Sequence, residues 1–142
     1  MSQAILGSVN VLIVKDNKLL LGRRQNTGWG DGLLCIPGGH TEADETPRQA
    51  AVRELKEELS IDVDVNDLEF VCVSARKSNR HYVAYEFMLR DTDHKPKNNE
   101  PRLCSELIWV DLDKLPDDVI PDFKAIIEQG LLGGQAYLEF GF

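Results

Sequence analysis

The segment from Thr46 to Leu59 constrains the fold of this chain more than any other, because it predicts one helix with a well-defined start. Thr46 is a favourable N-cap, and Pro47 stands at the first helical position, where its missing N–H group costs nothing. Gln49 completes a capping box with Thr46. The apolar face of this helix is formed by Ala51, Val52, Leu55 and Leu59. We expect that face to pack on the rest of the domain.

Most of the remaining chain has the composition of β-strands separated by turns. Predicted strands occupy residues 5–14, 18–22, 68–75, 81–89 and 107–112, and the tail AYLEF adds an edge strand. Asp16 and Asn17 predict a hairpin turn between the first two strands. Residues 24–32 and 91–102 are predicted loops, and residues 121–129 have the apolar spacing of a second helix. The order indicates one α+β domain, residues 1–142, with helices packed on a mixed β-sheet.

Charge and cysteine content exclude several classes of protein. The net charge is -8, from 16 Lys and Arg against 24 Asp and Glu, so a broad grip on nucleic acid or on an anionic membrane is not expected. The three cysteines have no CxxC spacing, which disfavours a disulfide framework or a zinc site. The N-terminal residues have no signal-peptide pattern, and no apolar run has the length of a membrane span. We therefore expect a cytoplasmic protein with reduced thiols and no membrane partner.

Glu54, Glu57 and Glu58 fall together on a second face of the predicted helix. Glu54 and Glu58 are a like-charge pair at i,i+4, which is unfavourable by about 0.2 to 0.5 kcal/mol on an exposed helix. One interpretation is a solvated helix face whose repulsion is relieved by Arg53 and Lys56. The other is a site for Mg²⁺ or Mn²⁺, since clustered carboxylate oxygens are the ligands that hard cations prefer. Spacing alone leaves both interpretations open.

The segment from Gly39 to Ile61 resembles the signature of the Nudix hydrolases, GX5EX7REUXEEXGU, in which U is an apolar residue. The positions that fit are Gly39, Glu45, Arg53, Glu54, Leu55, Glu57, Glu58 and Ile61. One position departs, because this chain has Ser60 where the family has glycine, at a helix end where a left-handed backbone is common. Serine adopts that conformation with some strain, so we expect a shifted or slightly destabilised turn without loss of a ligand.

The resemblance implies an α/β/α sandwich and hydrolysis of a nucleoside diphosphate linked to another group. Glu54, Glu57 and Glu58 are then the expected metal ligands, assisted by the backbone carbonyl of Gly39, with Mg²⁺ as the cofactor and Mn²⁺ as a substitute. Bound ions would bridge substrate oxygens and lower the pKa of a bound water. Arg53 is expected to orient Glu57 from one helical turn away.

The resemblance implies further roles in catalysis and phosphate binding. The expected catalytic residues are Arg53, Glu54 and Glu57. Gly38 allows close approach of phosphate, and Glu45 is expected to anchor the loop before the helix. The general base in this family is either a helix glutamate or an acidic residue of a later loop. For the second case the candidates are Glu100 and Glu106, although a polar loop contains such residues for solubility alone.

The substrate prediction depends on the segment NNEPRLCSELIWVDLDKLP, which resembles the EPxKCxxWxWVxxxELP region of MutT-like nucleoside triphosphate pyrophosphohydrolases. The match is partial, because Leu103 and Leu107 replace a lysine and a tryptophan. It favours a (deoxy)nucleoside triphosphate that is hydrolysed to a monophosphate and pyrophosphate. Candidate residues for binding this small nucleotide are Arg23, Trp29, Gly38, Tyr82 and Asp122.

Other interpretations stay open. The chain lacks the proline 15 or 16 residues after Ile61 that ADP-ribose hydrolases have, but an ADP-ribose or nucleotide-sugar hydrolase remains an alternative. An RNA 5′-end pyrophosphohydrolase is disfavoured by the net acidity. A non-catalytic nucleotide-sensing module is disfavoured because it has no need of the repelling carboxylates. The sequence leaves a homodimer open.

Overall fold

The computed structural model of the chain describes residues 3–90 and 93–142, so the first two residues of the predicted loop 91–102 lie outside the described residues. The strands are β1 (Ile5–Lys15), β2 (Lys18–Arg24), β3 (Leu34–Cys35), β4 (Gly38–His40), β5 (Glu69–Lys77), β6 (His81–Arg90), β7 (Cys104–Asp111) and β8 (Tyr137–Phe140). The helices are α1 (Pro47–Leu59) and α2 (Pro121–Ala125), the latter continuing as a π-helical segment (Ile126–Leu132), and a 3₁₀ turn spans Val65–Asp67.

The sheet is mixed, with the strand order β3-β2-β1-β6-β5-β8, and β4 and β7 pair with β1 and β2. The central pair, β1 and β6, is parallel from Ile5 opposite His81 to Val14 opposite Arg90. The predicted first hairpin is confirmed, and both turn residues, Asp16 and Asn17, have positive φ (52° and 60°), as a type I′ turn requires. Two residue pairs next to the turn join β1 to β2 in the described residues, and β2 pairs with β7 over its whole length, from Lys18 to Arg24.

Helices cover the sheet on both faces, which confirms the α/β/α sandwich. Alternate residues of β1 point to opposite faces, and burial on both sides explains the nearly continuous apolar run of this strand. The core on the α1 side contains Val9, Val11, Ile13, Leu20, Ala50, Ala51, Leu55, Leu59, Ile61 and Phe87. The core on the α2 side contains Leu12, Leu19, Leu21, Cys72, Met88, Phe123, Ile126 and Ile127. No helix of the described ranges has the length and apolarity needed to cross a lipid bilayer.

The second helix differs from its prediction. Regular α-helical bonding covers only Pro121–Ala125, and the chain then widens into the π-helical segment as far as Leu132. Phe123, Ile126 and Ile127 are nonetheless all buried, so the predicted apolar face is confirmed. Apolar spacing specifies which side of a helix is buried, but it does not distinguish the wider π turn from the α turn.

Candidate active site

The start and end of α1 are fixed locally, and this sets the positions of its carboxylates. The predicted capping box is present, because the Gln49 N–H donates to Thr46 Oγ1 (3.2 Å) and the Thr46 N–H donates to Gln49 Oε1 (2.9 Å). At the other end, Ser60 adopts φ 56° and ψ 31°, and its N–H donates to the Lys56 carbonyl (3.2 Å), as in the αL type of helix ending. A glycine usually provides this ending, and Ser60 adopts the same left-handed backbone at that position, so the turn is not shifted.

Strand β4 packs tightly at its two glycines, with Gly39 against α1 and Gly38 against β1. A Cβ atom on Gly39 would overlap the Glu54 carboxyl group, and one on Gly38 would stand 2.5 Å from Asn10 Oδ1. No side chain larger than hydrogen fits at either position without a shift of its neighbours. The glycine pair therefore allows the backbone to approach the helix carboxylates closely.

Arg53 is the centre of a polar network that joins the loop before α1 to the helix. Its guanidinium group contacts both Glu45 oxygens (3.1 and 2.8 Å) and donates to the His40 carbonyl (3.0 Å). The same group donates to Glu54 Oε1 (3.0 Å) and to Glu57 Oε2 (3.3 Å). The bonds to Glu45 and then to Glu54 raise the pKa of Arg53, and Arg53 in turn lowers the pKa of Glu45. The geometry fits the anchoring role predicted for Glu45 and the orienting role predicted for Arg53.

Negative charge is concentrated at the C-terminal half of α1. Burial and the adjacent Glu54 carboxyl raise the pKa of Glu58 to about 9, with a further contribution from Glu100. Partial burial, followed by Glu54 and Glu57, raises the pKa of Glu100. Glu58 and Glu100 both line a cleft of about 220 Å³ that also reaches Gly38. Four carboxylates thus share a small region in which water is partly excluded.

The donor chemistry of this region fits a divalent cation. Within residues 3–90 and 93–142, no three His, Cys, Asp or Glu side chains already stand in a metal-holding arrangement. Arg53 occupies oxygens of both Glu54 and Glu57, so these two groups would exchange that contact for the ion. An oxygen-only donor set with excess negative charge beside a close backbone approach is the chemistry that Mg²⁺ or Mn²⁺ requires. The residues that would hold the ion are Glu54, Glu57, Glu58 and the Gly39 carbonyl.

Three predicted nucleotide-binding residues meet around Arg76, which sequence reasoning did not single out. The Arg76 guanidinium lies 5.1 Å from the ring centre of Trp29 and forms an ion pair with Asp122 (3.1 Å). Tyr82 is the direct partner of Arg76 across β5 and β6, and its ring stacks on His40 (5.9 Å). Trp29 and Arg76 also contact Phe123 at the start of α2. A half-exposed aromatic and charged cluster, here called the Arg76 cluster (Trp29, Arg76, Tyr82, Asp122 and Phe123), lies next to β4.

Two other predicted residues pair with each other. Arg23 forms ion pairs with Glu106 (2.7 Å) and Asp118 (2.8 Å), and it donates to the Gly32 carbonyl (2.8 Å). The pairing of β2 with β7 places Arg23 directly opposite Glu106. Glu106 therefore contacts Arg23, whereas Glu100 interacts with the helix carboxylates. Phosphate binding by Arg23 stays a prediction and would require it to exchange these partners.

Sequence reasoning also missed a buried polar pair beneath β4. Asn10 Nδ2 donates to Glu86 Oε1 (3.0 Å), and the second Glu86 oxygen has no hydrogen-bond partner within residues 3–90 and 93–142. Burial raises the pKa of Glu86 to about 7. A single polar residue in each of the apolar runs VNVLIV and AYEFML was the available signal, but only the pairing of β1 with β6 brings the two together.

A capped helix carrying an arginine and clustered glutamates, packed on a mixed sheet beside a glycine pair, defines a Nudix-type domain. The chain belongs to the NUDIX domain family, whose profile matches residues 6–129.

Relatives of known name act on different substrates. An ADP-ribose pyrophosphatase of Methanocaldococcus jannaschii is 34% identical over 110 residues, which are 77% of this chain and 63% of the relative. A CTP pyrophosphohydrolase of Escherichia coli is 44% identical over 59 residues, 42% of this chain and 44% of the relative. An 8-oxo-dGTP diphosphatase of E. coli is 28% identical over 111 residues, 77% of this chain and 85% of the relative. The match spans less than two thirds of the length of the first two relatives.

Solved structures share the fold. A MutT NUDIX hydrolase from Burkholderia pseudomallei superimposes with a TM-score of 0.80 and 26% identity, over 89% of this chain and 98% of that one. The solution structure of the E. coli ORF135 protein gives a TM-score of 0.76 and 25% identity, over 92% of this chain and 91% of that one. Nudix hydrolases generally use divalent metals.

Proposed function

We propose that the protein is a Mg²⁺-dependent Nudix pyrophosphohydrolase and that its substrate is a (deoxy)nucleoside triphosphate, which it hydrolyses to a monophosphate and pyrophosphate. The observation that carries this proposal is the group of four carboxylates, Glu54, Glu57, Glu58 and Glu100, in one region beside the glycine pair of β4. A structural role does not account for this grouping, in which burial and then the Glu54 carboxylate raise the pKa of both Glu58 and Glu100. Bringing them together is unfavourable unless a cation is bound.

The negative charge of the substrate also supports a bound cation at this acidic site. A nucleoside triphosphate is strongly anionic, and a protein with net charge -8 repels it unless positive charge is supplied locally. An ion held by the helix carboxylates would polarise the reacting phosphoryl group and lower the pKa of an attacking water. Arg53 holds Glu54 and Glu57 in place, and Glu100, whose pKa is raised by burial and then by Glu54 and Glu57, is the candidate for the general base or an additional ligand.

The Arg76 cluster supports a nucleotide as the bound molecule. Trp29 is 43% exposed, and its ring carries the guanidinium groups of Arg24 (5.0 Å) and Arg76 (5.1 Å), one of which a stacking base would displace. Asp122 and Arg76 add polar groups that can pair with a base or a sugar. His40 connects the two parts of the site, because its ring stacks on Tyr82 and its carbonyl accepts from Arg53. The proposal therefore assigns the nucleoside of a substrate bound at the carboxylates to this cluster.

The assignment of a nucleoside triphosphate as the substrate is more specific than the assignment of the enzyme class. It is supported by the C-terminal resemblance to MutT-like proteins and by relatives named for CTP and 8-oxo-dGTP. The runner-up substrate is ADP-ribose, which is favoured by the name of the archaeal relative. The proposal also treats residues 1–142 as one cytoplasmic domain without a membrane partner, and a homodimer remains a prediction for size-exclusion chromatography.

The test compares substrates and variants together. The purified protein is incubated with Mg²⁺ and NTPs, damaged dNTPs, ADP-ribose, nucleotide sugars or 5′-triphosphorylated RNA, and the products are separated by chromatography. We expect a monophosphate and pyrophosphate from a triphosphate, with no turnover when Mg²⁺ is chelated. Glu57→Gln should abolish turnover at unchanged thermal stability, whereas Glu128→Gln, on the exposed side of the π-helical segment, should retain it.

Full activity of Glu57→Gln would refute the metal site. Turnover of ADP-ribose or nucleotide sugars alone would refute the triphosphate assignment and leave the site intact.

A further inference from the structure

The segment 97–100 is bound to the C-terminal end of α1 by four hydrogen bonds. The Lys97 N–H donates to the Leu59 carbonyl (2.9 Å), and the Asn99 N–H donates to the Glu58 carbonyl (3.0 Å). The Asn99 side chain donates to the Glu57 carbonyl (3.3 Å) and to Ser60 Oγ (2.6 Å). The last carbonyls of a helix have no partner inside the helix, so this segment provides the partners that α1 lacks.

Ser60 is the position at which the chain departs from the family signature, and its hydroxyl group is the acceptor of the shortest of these bonds. A glycine would satisfy the left-handed backbone of Ser60 (φ 56°) without strain, but it could not accept from Asn99. The strained serine thus supplies an interaction that the family residue cannot make.

Glu100 follows Asn99 directly, and its backbone is held on both sides. Its N–H donates to Asn98 Oδ1 (3.1 Å), and its carbonyl accepts from the N–H groups of Leu103 and Cys104 (both 2.9 Å). The Asn98 side chain in turn donates to the Cys104 carbonyl (2.7 Å). Glu100 is therefore fixed between the end of α1 and the start of β7, with its side chain at the cleft that Glu58 also lines.

We infer that Ser60 and Asn99 are positioning residues, which hold the segment 97–100 on α1 and thereby place the Glu100 carboxylate beside the helix glutamates. This inference rests on the proposed function, because it assumes that those glutamates bind the ion. Glu100 approaches from a segment about forty residues away in sequence, and the hydrogen bond from Asn99 to Ser60 is the shortest of the four that connect this segment to the end of α1 (2.6 Å).

The experiment compares Ser60→Ala, Ser60→Gly, Asn99→Ala and Glu100→Gln. Each variant is assayed for kcat and KM with the nucleotide turned over by the wild type, for Mn²⁺ affinity by electron paramagnetic resonance, and for its thermal unfolding midpoint. We expect Asn99→Ala and both Ser60 variants to lower kcat and Mn²⁺ affinity by about 10- to 100-fold, the usual effect of losing a group that supports a metal ligand. KM should change little.

The decisive measurement uses the Glu100→Gln background. If Ser60 and Asn99 act through Glu100, then adding Asn99→Ala or Ser60→Gly to Glu100→Gln causes no further loss of kcat. A purely structural role predicts additional loss in the double variants.

Ser60→Gly also distinguishes positioning of Glu100 from a purely structural role of Ser60. The substitution relieves the backbone strain and at the same time removes the hydroxyl group that accepts from Asn99. Retained kcat and Mn²⁺ affinity in Ser60→Gly would overturn the inference. The matched control is Asn17→Gly, in the turn between β1 and β2. It also replaces a residue of positive φ (60°), and it removes the side-chain hydrogen bond from Asn17 to Asp113. This control should leave kcat and Mn²⁺ affinity unchanged.

Failure of the proposed function has a different signature. If the wild type binds Mn²⁺ but hydrolyses no nucleotide, the proposed reaction fails, and Mn²⁺ affinity still tests the inference, which equal affinity of wild type and Asn99→Ala would overturn. If Glu57→Gln is fully active, the metal site fails and the inference fails with it.

Discussion

The buried Glu86 should make the stability of the protein depend on pH. Its carboxyl group is fully buried, one oxygen accepts from Asn10, and the other has no hydrogen-bond partner in the part of the chain that the structure describes. Burial disfavours the charged form and raises the pKa of Glu86 from its ordinary value of 4.5 to about 7. The folded state therefore holds a proton that the unfolded state releases between these two values.

The sign and size of the effect follow from this difference. The stabilising contribution of the protonated carboxyl is fully present below pH 4.5 and is lost as the pH rises through about 7. The interval between 4.5 and about 7, at about 1.4 kcal/mol for each pKa unit, corresponds to about 3 kcal/mol of unfolding free energy. The loss is a large fraction of the stability of a domain of this size.

Glu86→Gln is the perturbation that isolates this effect. Glutamine is neutral at every pH, and its carbonyl oxygen can accept the same bond from Asn10. The new amide group changes the unfolding free energy by the same amount at every pH, so it does not affect a comparison of how stability changes with pH. Urea unfolding is measured for both proteins from about pH 4.5 to about pH 8, and we expect wild type to lose about 3 kcal/mol relative to the variant over that range. Glu128→Gln, with an exposed side chain, should follow the wild type. Parallel stability curves for wild type and Glu86→Gln would refute the reasoning.

Three further substitutions test the site and its support. Gly39→Ala places a methyl group against the Glu54 carboxyl and should reduce Mg²⁺-dependent turnover strongly while circular dichroism shows a folded protein; normal turnover would contradict the close approach. Thr46→Ala removes the N-cap of α1 and should lower the unfolding free energy by about 1 kcal/mol in urea titrations, and an unchanged value would mean that the cap is not needed. Arg76→Ala should raise KM for the nucleotide with kcat nearly unchanged, and an unchanged KM would remove the Arg76 cluster from substrate binding.

Much of the candidate site could be predicted because its residues are close in sequence. The start of α1 depends on Thr46, Pro47 and Gln49, and their interactions span three positions. The convergence of the helix carboxylates follows from helical geometry alone. Local interactions of this kind can be predicted from the sequence because they do not depend on how distant segments pack together.

The remaining parts of the site depend on contacts between distant segments. Whether Glu100 or Glu106 joins the carboxylates was open in the sequence, and the register of β7 against β2 places Glu106 opposite Arg23. Arg76 became the centre of a cluster only because β5, the loop before β3 and the start of α2 meet there. Apolar spacing also did not predict the wider turn of the π-helical segment.

The sequence by itself determined the family, the helix α1 with its capped start, and the group of carboxylates on one helix face, because each depends on residues at fixed short spacing. The tertiary structure alone decided which distant groups stand beside them: Glu100 at the cleft, Asn99 on Ser60, and Glu86 beneath Asn10. The physical reason is that strand pairing and loop docking join residues about forty to eighty positions apart, and no local rule fixes their register.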